Sequence, residues 1–166
     1  MDNRLLQRLD FAADTTGSSI GASDRRQVEN FRVKIPSGSG TFTVDAGAWM
    51  QFDTDQTGAD RTLVAVEAVD TFTAGNPLVI GVLLDAVSET RTASDRYIQV
   101  RVIVAGYAEQ AKVDNAVNAA GIALVVDDTA VGGANALAAA DIAPACGVSL
   151  ELATGNRADV WVLKNF

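Results

Sequence analysis

The stretch "PLVIGVLLDAV", residues 77–87, decides the fold. It is a nearly continuous apolar run that opens at Pro77 and meets its only charge at Asp85. A strand covered on both faces reads this way, whereas a half-solvated strand alternates apolar with polar. Just downstream, "RYIQVRVIVAGYA", residues 96–108, is a long alternating segment. The two together predict a layered β structure.

The same grammar extends in both directions. "FRVKI", residues 31–35, alternates Phe31, Val33 and Ile35 with Arg32 and Lys34, and Pro36 ends the pairing. "PSGSG" makes a turn; "TFTV", residues 41–44, puts Phe42 and Val44 on one face; "AWMQF", residues 48–52, continues less cleanly through Trp49 and Phe52. "TLVAVEAV", residues 62–69, and "IALVVDD", residues 122–128, are further strands, the second ended by Asp127 and Asp128. "CGVSLEL" and "ADVWVLK", residues 146–152 and 158–164, form the closing hairpin. "KVDNAVNAAG", residues 112–121, has room for one or two helical turns, and "TAVGGANALAAADIAPA", residues 129–145, for a loop or short helix that stops at Pro144. The expected fold is all-β, a small barrel or sandwich of eight or nine short strands with turn signals roughly every ten residues.

The start of the chain differs. Residues 3–13 place Leu5, Leu6, Leu9 and Ala13 at helical spacing, with Arg4, Arg8 and Asp10 elsewhere on the circumference. A helix of about eleven residues is marginal alone in water, so it needs a surface to lie against. Residues 14–30 carry only Ile20 and Val28 as large apolar side chains and read as a connection. The expected organisation is an N-terminal arm, 1–30, joined to a β body, 31–166. Within the arm, Leu5, Leu6, Leu9 and Phe11 are the candidate partner-binding residues.

The formal charge of -8 argues against nucleic acid, which is held by concentrated Lys and Arg. Residues 1–34 carry six basic and five acidic side chains, and the remainder seven and sixteen, so the acidity resides in the body. No apolar window reaches the length of a membrane span, and the N-terminus lacks the apolar core of a signal peptide. These features predict a soluble, unsecreted product. The single Cys146 permits no internal disulfide and reads as a small buried hydrophobe.

Histidine is absent, which removes the commonest general base and metal ligand and the usual nucleophilic triads. Lys34, Lys112 and Lys164 remain as amines, each in a polar setting that reads as a solvated charge. "DTDQTGAD", residues 53–60, begins like a calcium loop with Asp53, Asp55, Thr57 and Gly58, but Val64 stands where the bidentate Glu belongs. A turn-rich hairpin loop is the stronger reading, and no metal or cofactor is expected. Asp127 and Asp128, as strand neighbours, point to opposite faces. An internal echo aligns Gly81-Val82, Leu84-Asp85 and Arg96 with Gly147-Val148, Leu150-Glu151 and Arg157. It reads as one hairpin design used twice to close a barrel.

Residues 45–166, about three quarters of the chain, resemble the capsid cement or head decoration proteins of tailed bacteriophages. The resemblance lies in "DAGAWMQFD", "GNPLVIGVLLDAV", "YIQVRVIVAG", "AGIALVVDD" and "CGVSLELATGNRADVWV", taken in that order. The long polar N-terminal segment and residues 129–145 depart from the family's compact core. The resemblance implies a non-enzymatic β-barrel on the outer capsid surface of the virion. There it would bind the major capsid protein, form a homotrimer at local threefold positions, and involve neither nucleic acid nor membrane. Two other readings stand beside it. One is a tail-associated or carbohydrate-binding β-sandwich using Trp161 or Tyr97; the other is a metal-dependent domain centred on Asp53, Asp55 and Asp60.

Overall fold

The structure, a computed structural model, describes residues 26–68, 76–126, 131–139 and 143–164. The arm residues Leu5, Leu6, Leu9 and Phe11, the expected helix over 3–13, and the Asp127–Asp128 pair lie outside the described residues. Within them the chain is all-β, and the single helical element is a 3-10 turn, Gly58–Thr62. The strands are β1 (Arg26–Ile35), β2 (Thr41–Val44), β3 (Trp49–Phe52), β4 (Val64–Glu67), β5 (Val79–Leu83) and β6 (Val87–Thr90). They continue with β7 (Arg96–Lys112), β8 (Ala123–Val125), β9 (Asn135–Ala136), β10 (Gly147–Ser149) and β11 (Arg157–Val162).

Nine strands form one sheet in the order β1-β4-β3-β5-β7-β11-β10-β8-β9, while β2 and β6 pair as a separate ribbon. Because β1 also pairs with β7, the first five of these strands close into a barrel. Closure joins β1 to β4 in parallel, Arg32 opposite Val64, and to β7 in antiparallel from Ile35–Arg96 to Arg26–Gly106. The remaining strands continue from the far end of β7, where β11 pairs from Val162–Gly106 to Arg157–Lys112. The seventeen residues of β7 therefore serve first the barrel and then the extension.

The apolar side chains divide between two cores, with a break in strict alternation at Gly81 of β5. Ile80 and Leu83 of β5 enter the barrel with Met50, Val102, Val104, Phe31 and Val33. Val79 and Val82 face the other way, onto Trp49 and Ile103, against Leu124, Val160 and Val162 of the extension. All five residues of β5 are buried. This is the physical reason for the unbroken apolar run: both faces of the strand are inside. The ribbon adds Val44 and Val87 to the barrel core.

Several elements lay beyond the sequence pattern. Strand β1 starts at Arg26, five residues before the alternation at Phe31, because residues 26–30 are held by backbone pairing to β7 while only Val28 among them is aliphatic. The segment 112–121 forms turns and no helix: the Asp114 carboxylate accepts from the Ala116 N–H at 2.7 Å, and Val117 is buried. Strand β9 lies in the stretch expected as a loop or short helix.

The echo resolves into two antiparallel pairs with separate duties. β5 and β7 are barrel walls, with Val82 opposite Ile103; β10 and β11 stand outside the barrel, with Gly147 opposite Val162. The second hairpin therefore does not close the barrel, a task that falls to β1. What the copies share is a glycine at a tight approach. A Cβ on Gly81, where φ is +152°, would collide with the Ile103 backbone oxygen, and one on Gly147 would lie 2.8 Å from the Trp49 ring. Because the obstacle at Gly81 is backbone, Gly81→Ala is expected to lower stability by roughly 2–4 kcal/mol, a fall of some 5–10 °C in Tm. Thermal and urea unfolding measure this, and a variant as stable as the parent refutes the close-approach assignment.

Candidate functional site

The aspartate loop spends its oxygens on itself. Asp53 is 8% exposed, and its carboxylate accepts the Asp55 N–H at 3.0 Å through Oδ1 and the Gln56 side-chain amide at 2.8 Å through Oδ2. Thr57 precedes the 3-10 turn, and the Leu63 N–H closes it on the Asp60 carbonyl. The loop is an Asx-type turn whose lead carboxylate already has its donors. Among the described residues no three Asp, Glu or Cys side chains cluster in a way that would hold a metal ion.

Each of the three lysines lies against a carboxylate. Lys34 Nζ is 2.8 Å from Asp95, Lys112 Nζ is 3.2 Å from Glu67 and 3.7 Å from Asp45, and Lys164 Nζ is 3.5 Å from Glu29. The hydrogen bond and charge of Asp95 push the Lys34 ammonium above its ordinary pKa. Asp95 is held down to about 2 by Lys34 and by the Ser37 N–H. An amine kept protonated in this way is a poor nucleophile.

Where β7 passes out of the barrel, the polar groups act as joinery. Arg157 Nη1 donates to the Ala46 carbonyl and, at 2.8 Å, to the Gln110 carbonyl. Gln110 needs both anchors, because its φ of +50° is left-handed; its N–H donates to Asp159 Oδ1 at 3.0 Å. Gly47, with φ +81°, fits beneath because a Cβ would strike the Gln110 oxygen and the Arg157 guanidinium. Beside it the Trp49 indole donates to the Lys112 carbonyl at 3.0 Å. Arg157, Asp45 and Gly47 line a cleft of about 420 Å³ with Arg26 and Glu109, and the hydrogen bonds above already occupy its guanidinium.

Outside this joinery the extension presents an apolar row. Registration sets Tyr107 of β7 opposite Trp161 of β11, Trp161 opposite Val148 of β10, and Val148 opposite Ala123 of β8. The Leu137 N–H then donates to the Ala123 carbonyl at 2.8 Å. Directly opposed residues share a face, so these five form a line about 20 Å long across the strands. The face is the outward one: Val160 and Val162, flanking Trp161, are buried, whereas Trp161 and Leu137 are each 39% exposed. Leu150 and Leu163 widen the row. Glu109, Glu151 and Asp159 stand around it, with Asp159 accepting the Tyr107 hydroxyl at 2.6 Å and Glu151 accepting the Asp159 N–H at 3.0 Å.

The two aromatics proposed as sugar platforms lie apart. Tyr97, 47% exposed, sits on β7 ten residues before Tyr107, roughly 33 Å along a strand, beside a cleft of about 510 Å³ lined by Asn30, Arg32, Leu63 and Gln99. Trp161 belongs to the row. The parity of "ADVWV" gives the outward aim of Trp161, but the pairing with Tyr107 and Val148 has no local signal in the sequence. No protein-family model matches the chain, and no curated protein matches it.

The Tyr107–Asp159 contact gives a titration test. Hydrogen bonding to the Asp159 carboxylate, then burial, then nearby carboxylate charge push the Tyr107 phenol up to about 12 from the usual 10.0. A folded-state pKa above the unfolded one means stability that is fully present below pH 10 and lost as pH rises through 12. Asp159→Asn is expected to bring the Tyr107 tyrosinate absorbance midpoint down toward 10.0. An unmoved midpoint refutes the contact.

Proposed function

We propose that this protein is a structural cement protein that binds the outer surface of an assembled viral shell and holds neighbouring major capsid subunits together. The observation that carries this reading is the apolar row headed by Trp161. It is an outward apolar line suited to contact, on an acidic body whose arginine and lysine side chains at the β7 junction are bound to the scaffold. The motifs of residues 45–166 that resemble decoration proteins supply the shell as the partner and the homotrimer as the assembly. The mechanism is mass action: a protein that binds only the assembled lattice stabilises it.

In this reading Leu5, Leu6, Leu9 and Phe11 grip the capsid subunits. Each large side chain fully buried there contributes roughly 1.5–3 kcal/mol before ordering costs. Deleting residues 1–25 spares β1 and is expected to weaken cosedimentation with assembled shells by about a hundredfold or more while the far-UV circular dichroism stays that of a β protein. Undiminished binding by the truncated chain sinks the arm model.

One observation favours a carbohydrate-binding alternative. The exposed Tyr97 ring stands beside the side chains of Asn30, Arg32 and Gln99, which offer amide and guanidinium donors at the edge of a cleft. That reading requires glycan-array binding that Tyr97→Ala abolishes and Trp161→Ala leaves intact. An array without signal removes it.

A further inference from the structure

We infer that the apolar row from Tyr107 through Trp161 to Leu137 is the resting site of this chain's own N-terminal segment, residues 3–13, in the free protein.

Three facts bring segment and row together. The first is where the described chain begins. Arg26 pairs with Gly106, so the polypeptide enters β1 beside the residue that precedes Tyr107, the first member of the row. The second is length. Residues 14–25 extend to about 40 Å, ample to reach along a row of about 20 Å, and residues 3–13 as a helix measure about 16 Å. The third is chemistry. At helical spacing Leu5, Leu6 and Leu9 would give the segment an apolar stripe that has to be buried somewhere, and the row begins beside the point where the described chain starts. Arg4 and Arg8, one turn apart, carry the charge opposite to Glu109, Glu151 and Asp159 around the row.

The short tether selects the same copy over another. A segment tied within a dozen residues of its site experiences a local concentration near millimolar, above that of a second molecule in dilute solution. The row therefore holds the arm until a stronger surface competes for it, and docking shields Trp161 from water. The inference concerns the free protein and stands apart from the identity of any shell.

Acrylamide quenching of the full chain reads this directly, because Trp49 is fully buried and Trp161 supplies the accessible signal. Leu5→Asp together with Leu9→Asp leaves every strand untouched and is expected to weaken docking at least about a hundredfold, one buried leucine being worth roughly tenfold or more. Trp161 then quenches as a freely accessible indole, whereas in the parent it is protected at every protein concentration. Equal quenching of parent and variant overturns the inference. Parent quenching that rises on dilution also overturns it, by assigning the row to a second copy. No shell enters the measurement, so this result and the cosedimentation result fail independently.

Discussion

Everything in the fold depends on a wall that is covered on both sides. Strands β3, β5 and β7 send side chains both into the barrel and into the space beneath β8, β10 and β11. At β5 such a wall has no solvent face on which to place polar residues. Met50 and Trp49, Ile80 and Val79, and Leu83 and Val82 are adjacent pairs that point to opposite cores. A one-residue slip would exchange the two sets, setting Trp49 where Met50 fits. Register is therefore fixed from both sides at once. Gly81 shows how close the layers come: the Ile103 backbone occupies the place of its missing side chain.

The length of β7 follows from that wall. A strand confined to a five-stranded barrel would end near Gly106, where the pairing with β1 ends. Six more residues carry it to Lys112 and seed the extension through β11. The handover is irregular on both sides, with a shift between Gln27 and Val28 against β1 and another between Ala158 and Val160 against β11. Gln110 takes a left-handed conformation there. Arg157 and Asp159 bind its carbonyl and N–H, so the polar residues of the junction are the price of turning one strand into two sheets. That demand accounts for the arginine that the echo made conspicuous, while the echo's carboxylate, Glu151, accepts the Asp159 N–H.

The legible and illegible parts of the sequence divide along the same line. Burial and alternation are local, so "PLVIGVLLDAV", "FRVKI" and "ADVWV" announced their strands and their inward residues. Barrel closure was not local: nothing in "FRVKI" says that Arg32 lies opposite Val64, or that β1 and not the final hairpin completes the ring. Residues 26–30 went unread because the β7 backbone holds them, and β9 because two residues make no pattern. The outward aim of Trp161 was in the parity of its strand. The row required three registrations and one backbone hydrogen bond across residues 107 to 161.

The same geometry explains why the apolar row lies where it does. The barrel interior and the space under the extension are filled, and the sheet of β7, β11, β10 and β8 has a second face with no third layer among the described residues. A sheet face left to water normally alternates to polar residues. Here it does so at Asp159 and Arg157 and fails to at Trp161, Val148 and Leu137, neighbouring positions that only the register brings together. Isolated exposed apolar residues need no explanation, but an aligned set does. Because the residues come from four strands and the loop after β9, each would be free to be polar without disturbing either core. Their shared apolar character is thus a property of the surface and not of either core.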